Sequence, residues 1–201
     1  TDAFNELARS REIQLRFTSS VEHLDYWFDQ SLMEKVYFNF LSNAFKNVPN
    51  GGTIDVRINV YEPLALSAHF PEQAPTLPQT QNYMLLEIED TGVGIPQEEL
   101  QNIFLPFYQV AQNEHSSSGT GLGLSLSKSI IEMHHGIIWA ESPENSGALF
   151  RIILPIDKNI FKPEEISTDI IDIGEHKAKL EISIENDAWD ELEQEKNKRA
   201  K

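Results

Sequence analysis

Apolar and polar residues alternate along this chain with two different periods, which predict its strands and helices. Alternation at every second position is typical of half-buried strands. It occurs near residues 13–17, 54–60 and 83–89, and short apolar runs at 137–140 and 149–154 predict two more strands. An apolar stripe at helical spacing predicts a helix that Ser31 can cap and that runs to about Lys46. Further helices are predicted at Pro96–Asn102 and from about Gly121 to His135, with Gly136 ending the second.

The remaining segments predict loops, and after Pro155 the sequence becomes highly charged. Residues 62–82 hold four prolines without periodicity and predict a long surface loop, and residues 105–120 are irregular. A turn around 145–147 joins the last two strands. We therefore expect a compact domain at 1–155 and an acidic linker or tail at 156–201. An ordered extra strand, from the alternation at 180–184, or a polar helix at 188–199 is the alternative for that tail.

The charge balance narrows the kinds of partner. The 201 residues include 16 Lys and Arg against 32 Asp and Glu, a formal net charge of −16. Nucleic acid and anionic lipid need a positive face, so they are not expected as partners. There is no cysteine, which excludes disulfides and thiolate metal sites and favours a reducing compartment. No apolar run approaches the roughly 20 residues of a membrane span, no signal peptide is evident, and the start at Thr1 suggests a piece of a longer protein.

Three polar residues share one face of the helix before Lys46. Asn39 and Asn43 are four residues apart, and Lys46 follows three residues later on the same side. Amide oxygens suit a Mg²⁺ ion that keeps waters and phosphate oxygens as its other ligands, and Lys46 would supply a point charge to those phosphates. The alternative is that each Asn faces solvent or makes a local hydrogen bond.

Two glycine-rich segments add the remaining candidate chemistry. Asp90 ends a predicted strand, where its carboxylate can accept a hydrogen bond from the adenine amine, and Gly92 and Gly94 let the backbone approach a flat ring. The segment Gly119–Leu124 leads into a helix, whose free N–H groups and positive dipole end bind phosphate. It matches neither a dinucleotide fingerprint nor a P-loop. The alternatives are a simple turn at the first segment and a hinge at the second.

Two phenylalanines lie between these segments. Phe104 and Phe107 could anchor the base of a lid whose closure excludes water, or both could be core residues.

Taken together, these segments resemble the ATP-binding catalytic domain of sensor histidine kinases, in the GHKL ATPase superfamily. The resemblance covers about residues 4–155. Asn39–Lys46 is similar to the N box, Asp90–Gly94 to the G1 box, Phe104 and Phe107 to the F box, and Gly119–Leu124 to the G2 box. The stretches at 42–46 and 107–110 look most like hybrid two-component sensors of Bacteroides-type bacteria. The resemblance implies a two-layer α/β sandwich, the Bergerat fold, with a mixed sheet and helices on one face.

The same resemblance implies roles for individual residues, with ATP and Mg²⁺ as cofactors. Asn39 and Lys46 would be the catalytic pair and Asn43 the Mg²⁺ ligand, while Asp90 would read adenine. The nucleotide-binding set would be Asn39, Asn43, Lys46, Asp90, Gly92, Gly94, Ile95, Phe107, Gly119, Thr120, Gly121, Leu122, Gly123 and Leu124.

Three departures from the family pattern concern the nucleotide. Asn47 stands where an aromatic residue usually stacks near the base, and Ile137 replaces a common glycine. Residues 108–118 contain no Lys or Arg for the γ-phosphate, leaving Lys46, Mg²⁺, the helix dipole and a pH-dependent His115. We expect modest ATP affinity and strong Mg²⁺ dependence.

The resemblance also implies partners and rival functions. None of the six histidines lies in a His-Glu-x-x-Thr/Ser-Pro setting. We therefore expect a phosphoacceptor and dimerisation domain before Thr1, and a hybrid sensor would add a receiver domain after the tail. The isolated domain is expected to be monomeric, the full protein homodimeric, and the domain to face the cytoplasm from an inner-membrane sensor. The alternatives are a gyrase- or chaperone-like ATPase, which would need a Glu where Asn39 stands, a serine kinase of the same superfamily, and a non-catalytic interaction module.

Overall fold

The computed structural model describes residues 2–110, 120–143 and 146–166. These residues form nine regular elements, in this order: α1 (Asp2–Ser10), β1 (Gln14–Ser19), α2 (Gln30–Asn47), β2 (Thr53–Tyr61), α3 (Pro63–His69), β3 (Tyr83–Asp90), α4 (Gly123–Met133), β4 (Ile137–Glu141) and β5 (Leu149–Pro155). Short 3-10 turns lie at Ala74–Thr76, Gln97–Glu99, Lys158–Ile160 and Pro163–Glu165. The predicted features within 167–201, and part of the turn at 145–147, lie outside the described residues. None of the described helices is long and apolar enough to cross a bilayer.

The described strands form one mixed sheet in the order β1-β2-β3-β5-β4. β1 pairs with β2 in parallel, and the other neighbours are antiparallel. Because side chains alternate between the faces of a strand, Met84, Leu86 and Ile88 of β3 point to one face and are buried. They join α1, α2 and α4 in the main core. The predicted α/β fold with a mixed sheet is confirmed.

The opposite face of the sheet is also covered, by the segment predicted as a surface loop. That prediction is wrong, since residues 63–69 form α3 and 74–76 a 3-10 turn. Leu66, Phe70 and Ala74 are buried there against Tyr83 and Leu85 of β3. This second layer explains why Leu85 and Leu86 are both buried although they point to opposite faces, and burial of each apolar side chain stabilises the fold by roughly 1.5–3 kcal/mol.

Two helix ends differ from the sequence prediction. Asp29, not Ser31, caps α2, since its carboxylate accepts the Leu32 N–H at 3.0 Å and the Ser31 hydroxyl at 2.7 Å. At the end of α4 the left-handed residue is His135, with φ +57, rather than Gly136. Gly136 is needed for a different reason, because a Cβ there would lie 2.5 Å from the Ile153 carbonyl.

Helix α1 was not predicted, and together with the residue after it, Arg11, it supports the C-terminal end of α2. Phe4 is buried and stacks on Phe45 with ring centroids 5.4 Å apart. Arg11 then donates to the carbonyls of Phe45 and Val48, the latter at 2.6 Å, and to Asn50 Oδ1 at 3.0 Å. A guanidinium at a helix C-terminus satisfies free carbonyls and complements the helix dipole. The last turn of α2 is therefore fixed.

The segment after β5 folds back onto the domain. Lys158 lies over the Trp27 ring, 5.5 Å from its centroid, and Phe161 lies 5.4 Å from the His135 ring. His135 also faces Glu165 at 3.3 Å. The first eleven residues of the predicted tail thus contact the domain.

Candidate nucleotide site

Helix α2 contacts both glycine-rich segments, one near each end of its polar face. The backbone carbonyl of Asn47 lies against Gly92, where an added Cβ would be only 2.8 Å from it. Two turns earlier, Asn39 lies against Gly123, and a Cβ there would overlap Asn39 Oδ1 and lie 2.8 Å from its Cγ. Eight residues of α-helix span about 12 Å. The predicted adenine and phosphate segments are therefore held about 12 Å apart along the C-terminal half of one helix, as an elongated ligand requires.

Asp90 is the buried carboxylate at one end. It is 4% exposed, and its Oδ1 accepts the Gly92 N–H at 2.7 Å. Burial raises the pKa of Asp90 above its ordinary range, and the charge of Glu89 adds to this, while the backbone N–H groups oppose it. A buried carboxylate held by a turn is a fixed acceptor for an amine donor.

The turn after Asp90 is held by residues that the sequence did not single out. The Ser142 hydroxyl accepts the Ile95 N–H at 2.7 Å and donates to the Gly147 carbonyl at 2.6 Å. Gly147, with φ +79, is so close to the Asp90 carbonyl that a Cβ would overlap it. A serine just after β4 gives no sequence signal for this contact.

Gly94 is the second glycine of the predicted adenine segment. It has φ +74, and a Cβ there would lie 2.8 Å from Ser142 Oγ. The left-handed backbone and the close contact both restrict this position to glycine.

The predicted phosphate end begins where the backbone of Phe107 meets Gly121. The Phe107 N–H donates to the Gly121 carbonyl at 2.9 Å, and a Cβ on Gly121 would lie 2.6 Å from the Phe107 carbonyl carbon. Phe107 has φ +64 and is 73% exposed, whereas Phe104 packs edge-on against Phe150 in the core. Of the two alternatives for this pair, core packing therefore describes Phe104. Phe107 is exposed beside the glycines and has a strained, left-handed backbone conformation.

The rest of the predicted phosphate segment starts helix α4. Thr120 is exposed, and its hydroxyl accepts the Leu122 N–H at 3.3 Å. Leu122 occupies the N-cap position without a capping side-chain hydrogen bond and is exposed, while Leu124 packs against the main core. Gly119 lies outside the described residues, as does most of the segment predicted as a lid.

The polar face of α2 carries the remaining predicted residues. Asn39 and Asn43 are half-buried and Lys46 is exposed in the last turn. Asn47 donates through Nδ2 to the Asn43 carbonyl at 2.8 Å, so its side chain is engaged along the helix. Within the described residues, no group of three or more His, Cys, Asp or Glu side chains is placed to hold a metal ion.

The residues at this site fit a nucleotide. At positions 92, 121 and 123 only glycine fits, because an added Cβ would collide with Asn47, Phe107 and Asn39 respectively. A buried carboxylate lies at one end, and the N-terminus of an eleven-residue helix lies at the other. Together with the fold, these features make this region a candidate nucleotide site.

Comparison with known proteins identifies the class of this domain. Residues 28–158 match the family described as histidine kinase-, DNA gyrase B- and HSP90-like ATPases. The sensor histidine kinase TmoS of Ectopseudomonas mendocina is 34% identical over 155 residues, which cover 77% of this chain. Histidine kinase P4 of Formosa agariphila is 29% identical over 205 residues, covering 98% of this chain. The chain belongs to this ATPase family.

A solved structure shows to which domain of a histidine kinase this chain is similar. The catalytic domain of histidine kinase ThkA superposes with a TM-score of 0.60 at 27% identity, covering 82% of this chain and 90% of that domain. The chain therefore corresponds to the ATP-binding catalytic domain of histidine kinases. It spans 14% of the length of P4 and of TmoS.

Proposed function

We propose that this domain supplies the γ-phosphate of ATP to a histidine on a dimerisation domain N-terminal to it, in a hybrid two-component sensor. The observation that carries the proposal is the position of α2, which contacts Gly92 through Asn47 and Gly123 through Asn39. This arrangement joins an adenine end to a phosphate end in one site.

At the adenine end, Asp90 accepts a hydrogen bond from the adenine amine. Its Oδ1 is already oriented by the Gly92 N–H, so little side-chain freedom is lost on binding. The glycines at 92 and 94 let the turn pack closely against Asn47 and Ser142, which holds Asp90 in place, and Ile95 adds apolar surface beside them.

At the phosphate end, the backbone around Gly121 and Gly123 offers N–H groups at the start of α4. Lys46 adds a positive charge. Mg²⁺, when bound, neutralises phosphate charge, which matters in a chain with net charge −16. The amide oxygen of Asn43, one helical turn from Asn39, would be its protein ligand.

Asn39 favours transfer to a protein over hydrolysis. A neutral amide cannot accept a proton from an attacking water, so the water lacks a general base at this position. Six histidines are present and none has the phosphoacceptor sequence setting, which is why we place the acceptor outside this chain.

The wider context follows from the same proposal. The full protein would be a homodimer, with this domain on the cytoplasmic side of an inner-membrane sensor and a receiver domain after the acidic tail. These parts rest on the resemblance to hybrid sensors.

The proposal is tested by incubating the chain with γ-labelled ATP and Mg²⁺, with and without the purified dimerisation domain of the same protein. We expect acid-labile label on that domain and little phosphate release by the chain alone. An Asn43→Ala variant should lose the transfer, and replacing the acceptor histidine should abolish it. Sustained phosphate release by the chain alone would instead favour an ATPase, and absence of nucleotide binding a non-catalytic module.

A further inference from the structure

Ser127 lies on α4 directly below the first turn of that helix and faces α2. It is 2% exposed, and its hydroxyl accepts a hydrogen bond from Asn39 Nδ2 at 3.0 Å. Gly123 and Ser127 are four residues apart, so they lie one above the other on the same face of α4. Asn39 therefore spans this face, with its amide reaching both positions.

The contacts of Asn39 give its amide one orientation. Of its side-chain atoms, Oδ1 is nearest to the position of a Cβ on Gly123, and Nδ2 is farther, at 3.1 Å. The nitrogen is thus directed to Ser127 and the oxygen to the start of α4. A rotated amide would place the oxygen against the serine and the NH₂ group toward the glycines.

We propose that Ser127 is a positioning residue that anchors the side chain of Asn39 beside Gly123, with its amide oxygen facing the phosphate end of the site. This inference rests on the proposed nucleotide site. An amide oxygen there can accept hydrogen bonds from the waters of a hydrated Mg²⁺ ion or from a backbone N–H. An NH₂ group cannot accept, and it would compete for the phosphate oxygens.

The role requires a small hydroxyl residue at this position. Alanine at 127 leaves Asn39 Nδ2 without this acceptor and removes the contact that holds the side chain in place. Threonine keeps the hydroxyl. Ser129 provides a matched control on the same helix, because it is exposed and its hydroxyl donates to the Ser125 carbonyl within α4.

Two measurements on Ser127→Ala, Ser127→Thr and Ser129→Ala test the inference. The first uses no nucleotide: the Asn39 side-chain NH₂ signals in NMR, assigned by their absence in Asn39→Ala, should move in Ser127→Ala and stay in Ser129→Ala. The second is the dissociation constant of a non-hydrolysable ATP analogue with Mg²⁺. Ser127→Ala should weaken it roughly three- to tenfold, with Ser127→Thr close to wild type.

A double-mutant cycle separates positioning from a general structural effect. In an Asn39→Ala background, Ser127→Ala should have no further effect on affinity. Equal effects of Ser127→Ala with and without Asn39, or unmoved NH₂ signals, would overturn the inference. If the wild-type chain binds no analogue while the NH₂ signals still move, the proposed function fails and the contact itself stands. Thermal unfolding of each variant verifies that it is folded, and Ser127→Thr is the fallback if Ser127→Ala is not.

Discussion

His134, just after α4, is hydrogen bonded to the backbone of Asp29, the cap of α2. The Asp29 N–H donates to His134 Nε2 at 3.0 Å, and Nδ1 lies 2.7 Å from the Ile130 carbonyl. Because Nε2 accepts, Nδ1 carries the proton and donates to Ile130. The ring is 6% exposed. One side chain thus ties together the two helices that carry the proposed nucleotide site.

Replacing His134 by Leu should therefore destabilise the domain. The substitution leaves the Asp29 N–H without its acceptor and removes the side-chain donor to the Ile130 carbonyl, which keeps its bond from the backbone N–H of residue 134. We expect this to cost about 2 kcal/mol. Urea unfolding gives this difference directly. His23→Leu, at an exposed position, is the control and should change stability by less than about 0.5 kcal/mol. Equal stability of the two variants would show that the contact contributes nothing.

Gly147 and Gly51 form a matched pair for testing the turn beneath Asp90. Both have positive φ, +79 and +81, but a Cβ on Gly51 meets nothing within 4 Å, whereas on Gly147 it overlaps the Asp90 carbonyl. Gly51→Ala should cost about 1 kcal/mol from its backbone conformation alone. Gly147→Ala should cost more and also weaken binding of an ATP analogue, since the Asp90 turn must shift. Similar unfolding midpoints and similar affinities for the two variants would contradict this account.

Asp90→Asn should separate stability from binding. Burial raises the pKa of Asp90 in the folded state, so the folded chain holds the proton to higher pH than the unfolded chain. The free energy of unfolding of wild type, compared with that of Asp90→Asn, should therefore fall with rising pH. The fall begins near the ordinary pKa of about 3.9 and continues through the raised pKa of the folded state. The Asn oxygen can still accept the Gly92 N–H.

Urea midpoints of wild type and Asp90→Asn, compared from about pH 4 to about pH 7, measure this effect. Asp25→Asn, at an exposed position, is the control. At neutral pH we expect Asp90→Asn to be at least as stable as wild type while its nucleotide affinity falls. If Asp90→Asn gains no stability relative to wild type as the pH rises, Asp90 is not a carboxylate that is charged at a buried position.

Whether a feature of the site could be predicted from the sequence depends on how far apart in the chain the contacting residues are. The polar face of α2 and the two glycine segments could be predicted, because they lie within single elements with recognisable spacing. Ser127, Ser142 and His134 could not, since each acts on a residue from 47 to 105 positions away. Isolated polar residues carry no periodic signal for such contacts.

The same reasoning explains the error at 62–82. Prolines at 63, 71, 75 and 78 broke the periodicity, although Pro63 in fact begins α3. The adjacent apolar residues Leu85 and Leu86, which interrupt the alternation of β3, were the available signal that the second face of the sheet is covered. Helix α1 is only nine residues long. Arg11, which follows it, contacts the end of α2 across a long stretch of sequence.

Arg11→Met should test that contact. Loss of the guanidinium leaves the Phe45 and Val48 carbonyls without a donor at the C-terminus of α2 and should cost about 2 kcal/mol. Arg11→Lys keeps the charge but not the fork and should be intermediate. Arg9→Met, in the exposed last turn of α1, is the control for charge. If Arg11→Met and Arg9→Met unfold at the same temperature, the contact of Arg11 with the end of α2 does not stabilise the domain.

The most direct test of the account is calorimetric titration of a non-hydrolysable ATP analogue into the chain, with Mg²⁺ and with EDTA, for wild type, Asn43→Ala and Asp90→Asn. We predict modest wild-type affinity that falls strongly without Mg²⁺. Asn43→Ala should lose about tenfold only when Mg²⁺ is present, and Asp90→Asn should lose affinity in both conditions. Tight binding that is independent of Mg²⁺ and unchanged in both variants would contradict the assignment of this site.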